Sequence, residues 1–565
     1  MKNITRLSSS ISLEMPSLRP RLQLPLLFVT VAMLLLLLST ASSTFAGSAT
    51  WKMNPATGDW NHAANWTPPT IPNGPSDTAT FASSNTRRVS ISSDTEVNGI
   101  VFNPGASAFT MTASSMFHLR ISGLGIANNS GITQNFVTNI SGIRGSMQFF
   151  NTAAAGNLTV FTNKGAIAFF DSSSAGSGTF TTIDGARLDF DTTSSAANGT
   201  FFTKGETVST GFSFGEIFFS GGSTAGNGTF TTTSGAVAGG FGAQTIFEGD
   251  STAGNGTFFT NGGAFSGANA AAITVFEEFS TAGNATLIAN SGSGVGGVIR
   301  FWDDSTGGMA RVEVFGNGRL DVSLHNAPGM TVGSIQGTGV VQLGANNLTI
   351  GSNNLSTNFS GLIQDGGNGG GSGGSLTKVG TGTLVLHNLN AYTGGTTING
   401  GKLEVNNESG SGTGSGPVQV NSGRLGGRGI IAGDVTLGDG SGRGAILSPG
   451  KSANTRGTLV IVSTLAFNSD ATYNFQLNSD TRNADGVIAN GVMINSGAQF
   501  SFGDVGNGML AHGIVFTVIN NIAANPIIGT FSNLPDGGTF TSNGNTYQVN
   551  YDGGDGNDLT LTVIP

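Results

Sequence analysis

Apolar and polar residues alternate in short runs along much of the chain, and Gly, Ser, Thr and Asn separate the runs. The alternation is clean in Thr383–Leu386 and Lys402–Val405, and it returns in Thr458–Val462 and Leu559–Val563. A period of two is typical of β-strands with one buried face, and no amphipathic helix is evident in the sequence. The pattern therefore predicts an all-β protein of many short strands joined by tight turns.

One unit recurs between about residues 147 and 305: an aromatic strand, a Ser/Thr-Ala-Gly-Asn turn and a Thr-Phe strand. Aligned units give three columns of equivalent positions. The first column contains Phe150, Phe170, Phe190, Phe219, Phe247, Phe276 and Phe301. The second column, at the turn, contains Asn157, Ser177, Asn198, Asn227, Asn255 and Asn284. The third column contains Val160, Phe180, Phe201, Phe230, Phe258 and Leu287. Successive members are about 20 to 29 residues apart, the length of one β-solenoid coil.

Stacking of coils accounts for the residue types in these columns. A single coil cannot bury its apolar face, but stacked coils place each Phe over the next at a strand spacing of about 4.8 Å. Such aromatic pairs add about 0.5–1.5 kcal/mol beyond area burial. Asn tolerates the left-handed backbone of a sharp corner, and Gly176, Gly226, Gly254 and Gly283 supply positive φ there. We therefore predict a parallel β-helix with amide hydrogen bonds from coil to coil.

Three consecutive coils carry extra residues at the same place, between the Thr-Phe strand and the next aromatic strand. These insertions contain Phe212 and Phe214, then Phe241, then Phe265, all among Gly and Ala. If the coils stack, the insertions form one continuous patch. One interpretation is a third strand that completes a longer coil. The other is an apolar ledge that contacts a partner or a glycan.

Acidic residues follow the first Phe column at Asp171, Asp191, Glu248, Glu277 and, one place out of step, Asp303. Carboxylates stacked about 4.8 Å apart repel one another, so a dense row would call for a cation or a catalytic role. Ser220 interrupts the row. We interpret these acids as solvated residues beside a turn.

The N-terminus has the features of a secretory signal. Lys2, Arg6, Arg19 and Arg21 precede an apolar run from Leu24 to Leu38, and small residues follow as far as Ala46. The run is short for a membrane span of about 20 residues, so we expect cleavage near Ala46 rather than an anchoring helix. We expect no stable membrane span after the signal is removed.

The segment after the signal contains Trp51, Trp60 and Trp66, followed by several Pro. It is interpreted as a cap over the open apolar end of the first coil, with an aromatic sugar-binding platform as the alternative. Residues 365–375, DGGNGGGSGGS, are expected to form a flexible spacer or a loose coil.

Composition excludes several classes of protein. Gly contributes 91 of 565 residues without a three-residue period, and Cys is absent, so collagen, disulfide scaffolds and zinc fingers are excluded. Charged residues make up 10 %, and the net charge is −9. Loss of residues 1–46 removes four basic residues and one acid, which makes the chain more acidic. An acidic surface argues against binding to nucleic acid or to anionic lipid.

The string LTKVGTGTLVLHNLNAYTGGTTINGGKLEV, residues 376–405, resembles the autotransporter-associated β-strand repeat, also called the passenger-associated transport repeat. Leu447–Gly450 and Gly457–Leu459 are similar to the residues usually found after that repeat, and the segment with Trp60 and Trp66 is similar to the N-terminal part of such surface proteins. The resemblance implies a right-handed β-helical exported stalk with no catalytic residue. About 100 residues follow Asn468, so we expect no C-terminal autotransporter barrel.

Chemistry-bearing residues are sparse. The five His residues are scattered (His62, His118, His325, His387 and His512), and Arg87-Arg88 is the basic pair after the signal. Gly553-GDGNDLTL matches a calcium-binding nonapeptide once, with Asp552, Asp555 and Asp558 as potential ligands. A single copy lacks stacked neighbours, so we interpret it as a turn before the last strand. We therefore assign no catalytic, cofactor or metal site.

These observations predict a right-handed parallel β-helix with an N-terminal cap and a less regular β-rich C-terminal segment. The predicted divisions are a signal peptide (1–46), a cap with the first coils (47–140), the Phe/Asn repeat helix (141–364), the Gly-rich spacer (365–375), the transport-repeat helix (376–457) and the C-terminal segment (458–565). The predicted function is non-enzymatic adhesion or structural display, secreted or on the outer cell surface, with a glycan or cell-surface partner. A β-helical polysaccharide lyase or hydrolase is the alternative, and the oligomeric state stays open.

Overall fold

The computed structural model describes residues 47–141, 143–183, 185–208, 213–267, 269–450 and 457–565. The predicted signal peptide therefore lies outside the described residues. The described chain contains many short strands and a single turn of 3-10 helix, Ala63–Asn65. No helix in these ranges is long and apolar enough to cross a membrane. Strands from successive coils pair in parallel, which confirms the predicted parallel β-helix.

The strands form three parallel ladders, and ladder A is a sheet of 15 strands. Only its first pair is antiparallel, and each later strand pairs in parallel with the strand one coil on. Its strands, in spatial order, are Trp66–Thr67, Ala49–Trp51, Gly74–Phe81, Thr95–Phe102, His118–Asn128, Ser146–Phe149, Ala166–Phe169, Arg187–Phe190, Glu216–Phe219, Gln244–Phe247, Ile273–Phe276, Val298–Asp303, Arg319–His325, Val340–Gln342 and Leu362–Gln364.

Ladder B runs along a second side of the coils and continues further toward the C-terminus. Its strands are Arg88–Ile91, Thr110–Ala113, Gln134–Thr138, Thr159–Asn163, Thr179–Thr182, Thr200–Thr203, Thr229–Thr233, Thr257–Asn261, Thr286–Ala289, Gly307–Val314, Gly329–Gly337, Thr357–Phe359, Thr383–Leu386, Thr396–Val405, Val418–Gly427, Ala445–Pro449, Ala471–Asn478 and Gln499–Asp504.

Ladder C forms the third side. In the Phe/Asn repeat it is a row of single bridges, from Ala154 and Ser174 to Thr306. Later coils widen it into strands, and the long strands of ladder B bend to join it. The strands that belong to ladder C alone are Asn347–Ile350, Ser375–Lys378, Val435–Leu437, Leu465–Phe467 and Val492–Ile494. Two short hairpins complete the coils. Ile140–Ser141 pairs with Ile143–Arg144, and Leu477 and Asn478 of ladder B pair with Asn483–Ala484.

The interior of the repeat region contains two stacks of Phe rings. Along ladder A, the rings from Phe149 to Phe301 stack with neighbouring centroids 4.5–4.8 Å apart. Along ladder B, the rings from Phe136 to Phe258 stack at 4.5–5.0 Å. The two stacks meet edge to face, at 5.7 Å between Phe219 and Phe230. These rings form much of the buried core of the repeat coils.

The first members of two predicted columns are wrong by one residue. Phe149 and Phe169, not Phe150 and Phe170, pair in register with Phe190 and lie fully buried. Phe150 and Phe170 stack on each other outside the core, with centroids 4.9 Å apart. In the third column Phe161, not Val160, pairs with Phe180. Two adjacent aromatic residues hide the register, because a shift of one residue moves a side chain to the other face.

The turn column forms the predicted amide hydrogen bonds. Asn227 donates from Nδ2 to Oδ1 of Asn198, Asn255 donates to Asn227, and Asn284 donates to Asn255, each at 3.2 Å. The preceding Gly176, Gly226, Gly254 and Gly283 have φ between +56° and +60°, as a left-handed corner requires.

The N-terminal end is closed by three Trp rings. Trp51, Trp60 and Trp66 are buried and pack around Phe81, with Trp centroids 5.0 Å apart. Their indole N–H groups donate to backbone carbonyls, at 3.0 Å from Trp60 to Pro72 and 2.7 Å from Trp66 to Trp60. A sugar platform needs exposed rings, so these residues act as a cap.

The C-terminal end changes its strand direction. Ile430–Ile431, Thr458–Ile461, Gly486–Ala489 and Val515–Asn521 still pair in parallel as part of a seven-stranded sheet. Val515–Asn521 then pairs antiparallel with Asp558–Ile564, and the strands Asn545–Gly553 and Thr539–Ser542 complete the sheet. Coil geometry therefore persists beyond residue 458, and the less regular part is an antiparallel cap.

Candidate ligand-binding groove

The inserted residues of successive coils stack into one surface, which we call the ledge (204–208, 213–215, 234–243, 262–267, 269–272 and 290–297). Backbone hydrogen bonds join its layers. Gly235 N–H donates to Ala270 at 3.0 Å, and Gly263 N–H donates to Val295 at 2.8 Å. Glu206 N–H donates to the Phe241 carbonyl, and Phe241 N–H donates back to a Glu206 carboxylate oxygen at 3.1 Å. The ledge is therefore continuous over its described residues, as the aligned insertions predicted.

The described part of the ledge contains no strand of its own apart from the end of Thr257–Asn261, which borders it. The described inserted residues therefore do not form the third strand that one interpretation predicted. They form loops that individual hydrogen bonds join. Phe214 stacks on Phe241 with centroids 5.7 Å apart, and Phe265 is 37 % exposed. Phe212 lies outside the described residues.

The outer face of ladder A lies beside the ledge and bears two columns of side chains. Val298, Arg319 and Val340 are in register in one column. Arg300, Asp321 and Gln342 are in register in the other. Since outward residues alternate with the core residues Ile299 and Leu320, the same strands that bury the interior present these side chains outward.

The Gly-rich segment 365–375 lies opposite the ledge, between the strands Leu362–Gln364 and Ser375–Lys378 of the same helix. It is a hydrogen-bonded loop of one coil, not a flexible spacer. Asp365 accepts from the N–H groups of Gly373 and Gly374 at 3.1 and 3.0 Å. Asn368 N–H donates to Asp321 at 3.2 Å, so this loop is bound directly to the outer face of ladder A. We call that outer face, with Arg300, Asp321 and Gln342, the floor.

Ledge, floor and loop together enclose a groove of about 440 Å³, which we call the ledge groove. This volume is within the range of about 300–1,000 Å³ that is usual for ligand sites. Its lining residues are Ser266, Gly267, Ala271, Ile273, Gly294, Val295, Val298, Arg300, Arg319, Asp321, Gln342, Gly367 and Asn368.

Two arginines and one carboxylate set the charge of the ledge groove. Arg300 Nε lies 3.5 Å from Asp321 Oδ2, and its guanidinium carbon lies 5.5 Å from the Trp302 ring centroid. Asp321 is 3 % exposed and also accepts from Ser323 N–H at 3.1 Å and Ser323 Oγ–H at 2.6 Å. Arg319 is exposed and has no ion-pair partner among the described residues. The groove therefore has an unpaired positive charge in an acidic chain.

The acidic residues after the first Phe column do not form one row. Asp171 and Asp303 occupy a left-handed corner, with φ of +55° and +50°, whereas Glu277 lies one position earlier in its coil. Asp171 accepts from Asn151 N–H at 2.9 Å, and Asp303 accepts from Glu278 N–H at 3.3 Å, so these acids bind backbone groups of the preceding coil. Burial, helped by the repulsion of neighbouring acids, raises the pKa of Glu277.

The calcium-like segment forms a turn between the strands Asn545–Gly553 and Asp558–Ile564. Asp552 and Asp555 are exposed, while Asp558 is buried and accepts from Asn521 N–H at 2.9 Å. In the described ranges, no group of three or more His, Cys, Asp or Glu side chains is arranged to hold a metal ion.

Sequence reasoning identified the ledge but missed the floor of the groove. Arg300, Asp321 and Gln342 are separated along the chain and differ in type, so no motif marks them. Their separation along the sequence equals the length of one coil, but this relation can be recognised only when the register of ladder A is known. For the Gly-rich segment the sequence left a flexible spacer and a loose coil as alternatives, and its hydrogen bonds to Asp365 and Asp321 hold it as a loop of one coil.

Residues 376–405 match the Passenger-associated-transport-repeat family, which confirms the resemblance at the predicted position. The chain is also 34 % identical over 104 residues to the adhesin BmaC autotransporter of Brucella suis biovar 1 (strain 1330). That match covers 18 % of this chain and 3 % of the adhesin, so the chain spans a small fraction of this relative.

Among solved structures, the Hap adhesin of Haemophilus influenzae aligns with 86 % of this chain and 64 % of that chain. The identity is 11 % and the TM-score is 0.23. The fold assignment therefore rests on the strand pairing described above.

Proposed function

We propose that this chain is an exported, non-enzymatic adhesive or display module, secreted or held at the outer cell surface, and that the ledge groove is its binding site. The partial match to an autotransporter adhesin and the transport repeat at 376–405 support export and adhesion. The observation that carries the proposal is the groove itself, because three separate parts of the coil converge on one side face.

The chemistry of the groove favours binding over catalysis. Glycoside hydrolases ordinarily use two carboxyl groups, one on each side of the scissile bond. Asp321 is the one carboxylate among the lining residues. It is buried, and it already accepts hydrogen bonds from Ser323 and Asn368 while facing Arg300. A carboxylate held in this way orders the loop and is poorly placed to exchange a proton with a substrate.

A groove-filling substitution tests the proposal. Asn368 is exposed at the rim, and Asn368→Trp would place an indole in the groove while its backbone N–H still binds Asp321. Asn129→Trp, at an exposed turn elsewhere on the coils, is the matched control. Beads coated with residues 47–565 would be tested for adhesion to cultured cells and to surfaces coated with extracellular matrix.

We expect the wild-type chain and Asn129→Trp to adhere equally, and Asn368→Trp to lose most of the adhesion. Both variants should keep the circular dichroism spectrum of the wild type. Equal adhesion by all three chains would contradict the assignment of the groove, and no adhesion by the wild type to any of the surfaces would contradict the adhesive role.

A further inference from the structure

The ledge groove combines two arginines in its floor with walls that contain the polar Ser266 and Asn368 beside the apolar Ala271 and Val295, and this chemistry restricts what can bind there. We infer that the groove binds an anionic sugar unit of a glycan, whose carboxylate contacts Arg319 and the exposed edge of Arg300. The inference deepens the proposed function and rests on it. It concerns the class of ligand rather than the existence of the site.

The charge balance is the first argument. The whole chain has a net charge of −9, and acids are common at its exposed corners. Among the lining residues, Arg300 and Arg319 are accompanied by one carboxylate, Asp321, and Glu277 outside the lining also interacts with Arg300. The cation that has no ion-pair partner among the described residues is therefore Arg319. An isolated cation in a concave, partly desolvated site attracts anions more strongly than the same cation on an open surface. The unpaired Arg in the groove therefore favours an anionic ligand there, although the net negative charge of the whole protein repels anions.

The state of Arg300 is the second argument. Its Nε atom is shielded from solvent and has no hydrogen bond of acceptable geometry, because the contact with Asp321 is 3.5 Å. Asp321 directs its oxygens mainly to Ser323 and Asn368. The guanidinium carbon lies 5.5 Å from the Trp302 ring centroid, and the contact of this side chain with Asp321 is a single one of 3.5 Å rather than a tight bidentate pair. Its pairing with Asp321 is thus incomplete, and a ligand carboxylate would bind the part of the side chain that stays exposed, 17 % of its surface, rather than the shielded Nε.

The walls are the third argument. Ser266 and Asn368 in the walls, with Gln342 in the floor, place hydroxyl and amide groups around the cations, and the Gly residues leave backbone groups accessible. Such groups match the hydroxyls of a sugar ring better than an apolar peptide or a lipid chain. The groove follows the stacking direction over the coils of Arg300, Asp321 and Gln342, so a short oligosaccharide can extend along it.

A pair of matched oligosaccharides separates charge from sugar recognition. A hyaluronan tetrasaccharide carries carboxylates, whereas chitotetraose is a neutral chain of N-acetylated sugars. Binding of each to immobilised residues 47–565 would be measured by biolayer interferometry at low and physiological salt. We expect hyaluronan to bind at least about 10-fold more tightly than chitotetraose and to weaken as salt increases, since the added contact is a charge-assisted hydrogen bond.

Two substitutions place the charge effect in the groove. Arg319→Gln removes an exposed cation without disturbing a buried pair, and it should weaken hyaluronan binding about 10-fold or more. Gln342→Glu introduces a like charge beside the carboxylate and should weaken binding similarly. Arg443→Gln, at an exposed Arg outside the groove, is the control and should change affinity less than about 2-fold.

The outcomes also separate this inference from the proposed function. Three results would overturn the anionic-sugar assignment: equal binding of both oligosaccharides, no binding of hyaluronan, or an unchanged affinity in Arg319→Gln. If Asn368→Trp nevertheless loses adhesion, the groove remains the binding site, but for another ligand. If Asn368→Trp also leaves adhesion intact, the proposed site is wrong as well. Loss of hyaluronan binding in Arg319→Gln, with binding retained in Arg443→Gln, supports both.

Discussion

Removal of one core ring provides a quantitative test of the Phe stacks. Phe219 is fully buried and stacks between Phe190 and Phe247, with centroids 4.7 and 4.5 Å away. It also meets Phe230 edge to face at 5.7 Å. Its neighbour Phe218 lies on the outer face, where the Arg187 guanidinium carbon is 3.6 Å from its ring centroid. The two residues are adjacent in sequence but face opposite sides of the same strand.

Phe219→Ala should lower the free energy of unfolding by about 3–5 kcal/mol, because the cavity has rings on three sides and the stacked neighbours cannot close it. Phe218→Ala should cost about 1 kcal/mol or less, since it removes a half-exposed ring and one cation–π contact. The expected difference between the variants is therefore at least about 2 kcal/mol.

Urea denaturation followed by circular dichroism would give both free energies. Stacked coils can open locally, so hydrogen exchange of peptides covering 187–190, 216–219 and 244–247 should be measured in parallel. We expect Phe219→Ala to accelerate exchange in all three peptides and Phe218→Ala to leave them near the wild-type rates. If Phe218→Ala is as damaging as Phe219→Ala, the register that places Phe219 inside is incorrect.

Three further predictions concern single side chains. The Ser223 hydroxyl is buried without a hydrogen-bond partner among the described residues. Ser223→Ala should therefore leave the free energy of unfolding, measured by urea titration, unchanged or raise it by about 1 kcal/mol. A loss above about 1 kcal/mol would contradict this prediction. Burial raises the pKa of Asp485 from 3.8 to about 7. The folded chain thus holds this proton more tightly than the unfolded chain. The melting temperature of the wild type, compared with that of Asp485→Asn, should therefore fall as pH rises from about 4 to 7 and then level off. A difference between the two melting temperatures that does not change with pH would refute this prediction. Asn255→Ala breaks two amide hydrogen bonds at an exposed corner and should cost about 1–2 kcal/mol in urea, with no cost arguing that the amide row is not formed.

Most of the fold could be predicted from the sequence because the repeat encodes it directly. The spacing of Asn198, Asn227, Asn255 and Asn284 sets the length of a coil, and the structure aligns these amides in one row. The register at Phe149 and Phe150 could not be predicted, because two neighbouring aromatic rings satisfy the pattern equally well. Only the parallel pairing with Phe169 and Phe190 decides between them.

The ledge and the groove differ in how far the sequence reveals them. The insertions recur at one place in successive coils, so their stacking follows from the repeat. The floor residues Arg300, Asp321 and Gln342 form a column only after the strands pair. The Gly-rich loop joins this column where Asn368 N–H donates to Asp321, next to a second bond from Gly369 N–H to Ser323 Oγ. Composition cannot distinguish a loop held by hydrogen bonds from a flexible linker, because the acceptor, Asp321, belongs to another coil.

The central claim, that this side face binds a ligand without transforming it, is tested most directly by recovering the ligand after binding. Residues 47–565 would be incubated with a panel of acidic and neutral polysaccharides, and bound fraction, chain length, reducing ends and unsaturated products would be measured on the same samples. We predict saturable binding of at least one acidic polysaccharide, with its chain length unchanged and no new reducing ends after prolonged incubation. Shortened chains or unsaturated ends that increase with protein concentration would contradict the account and identify the protein as an enzyme.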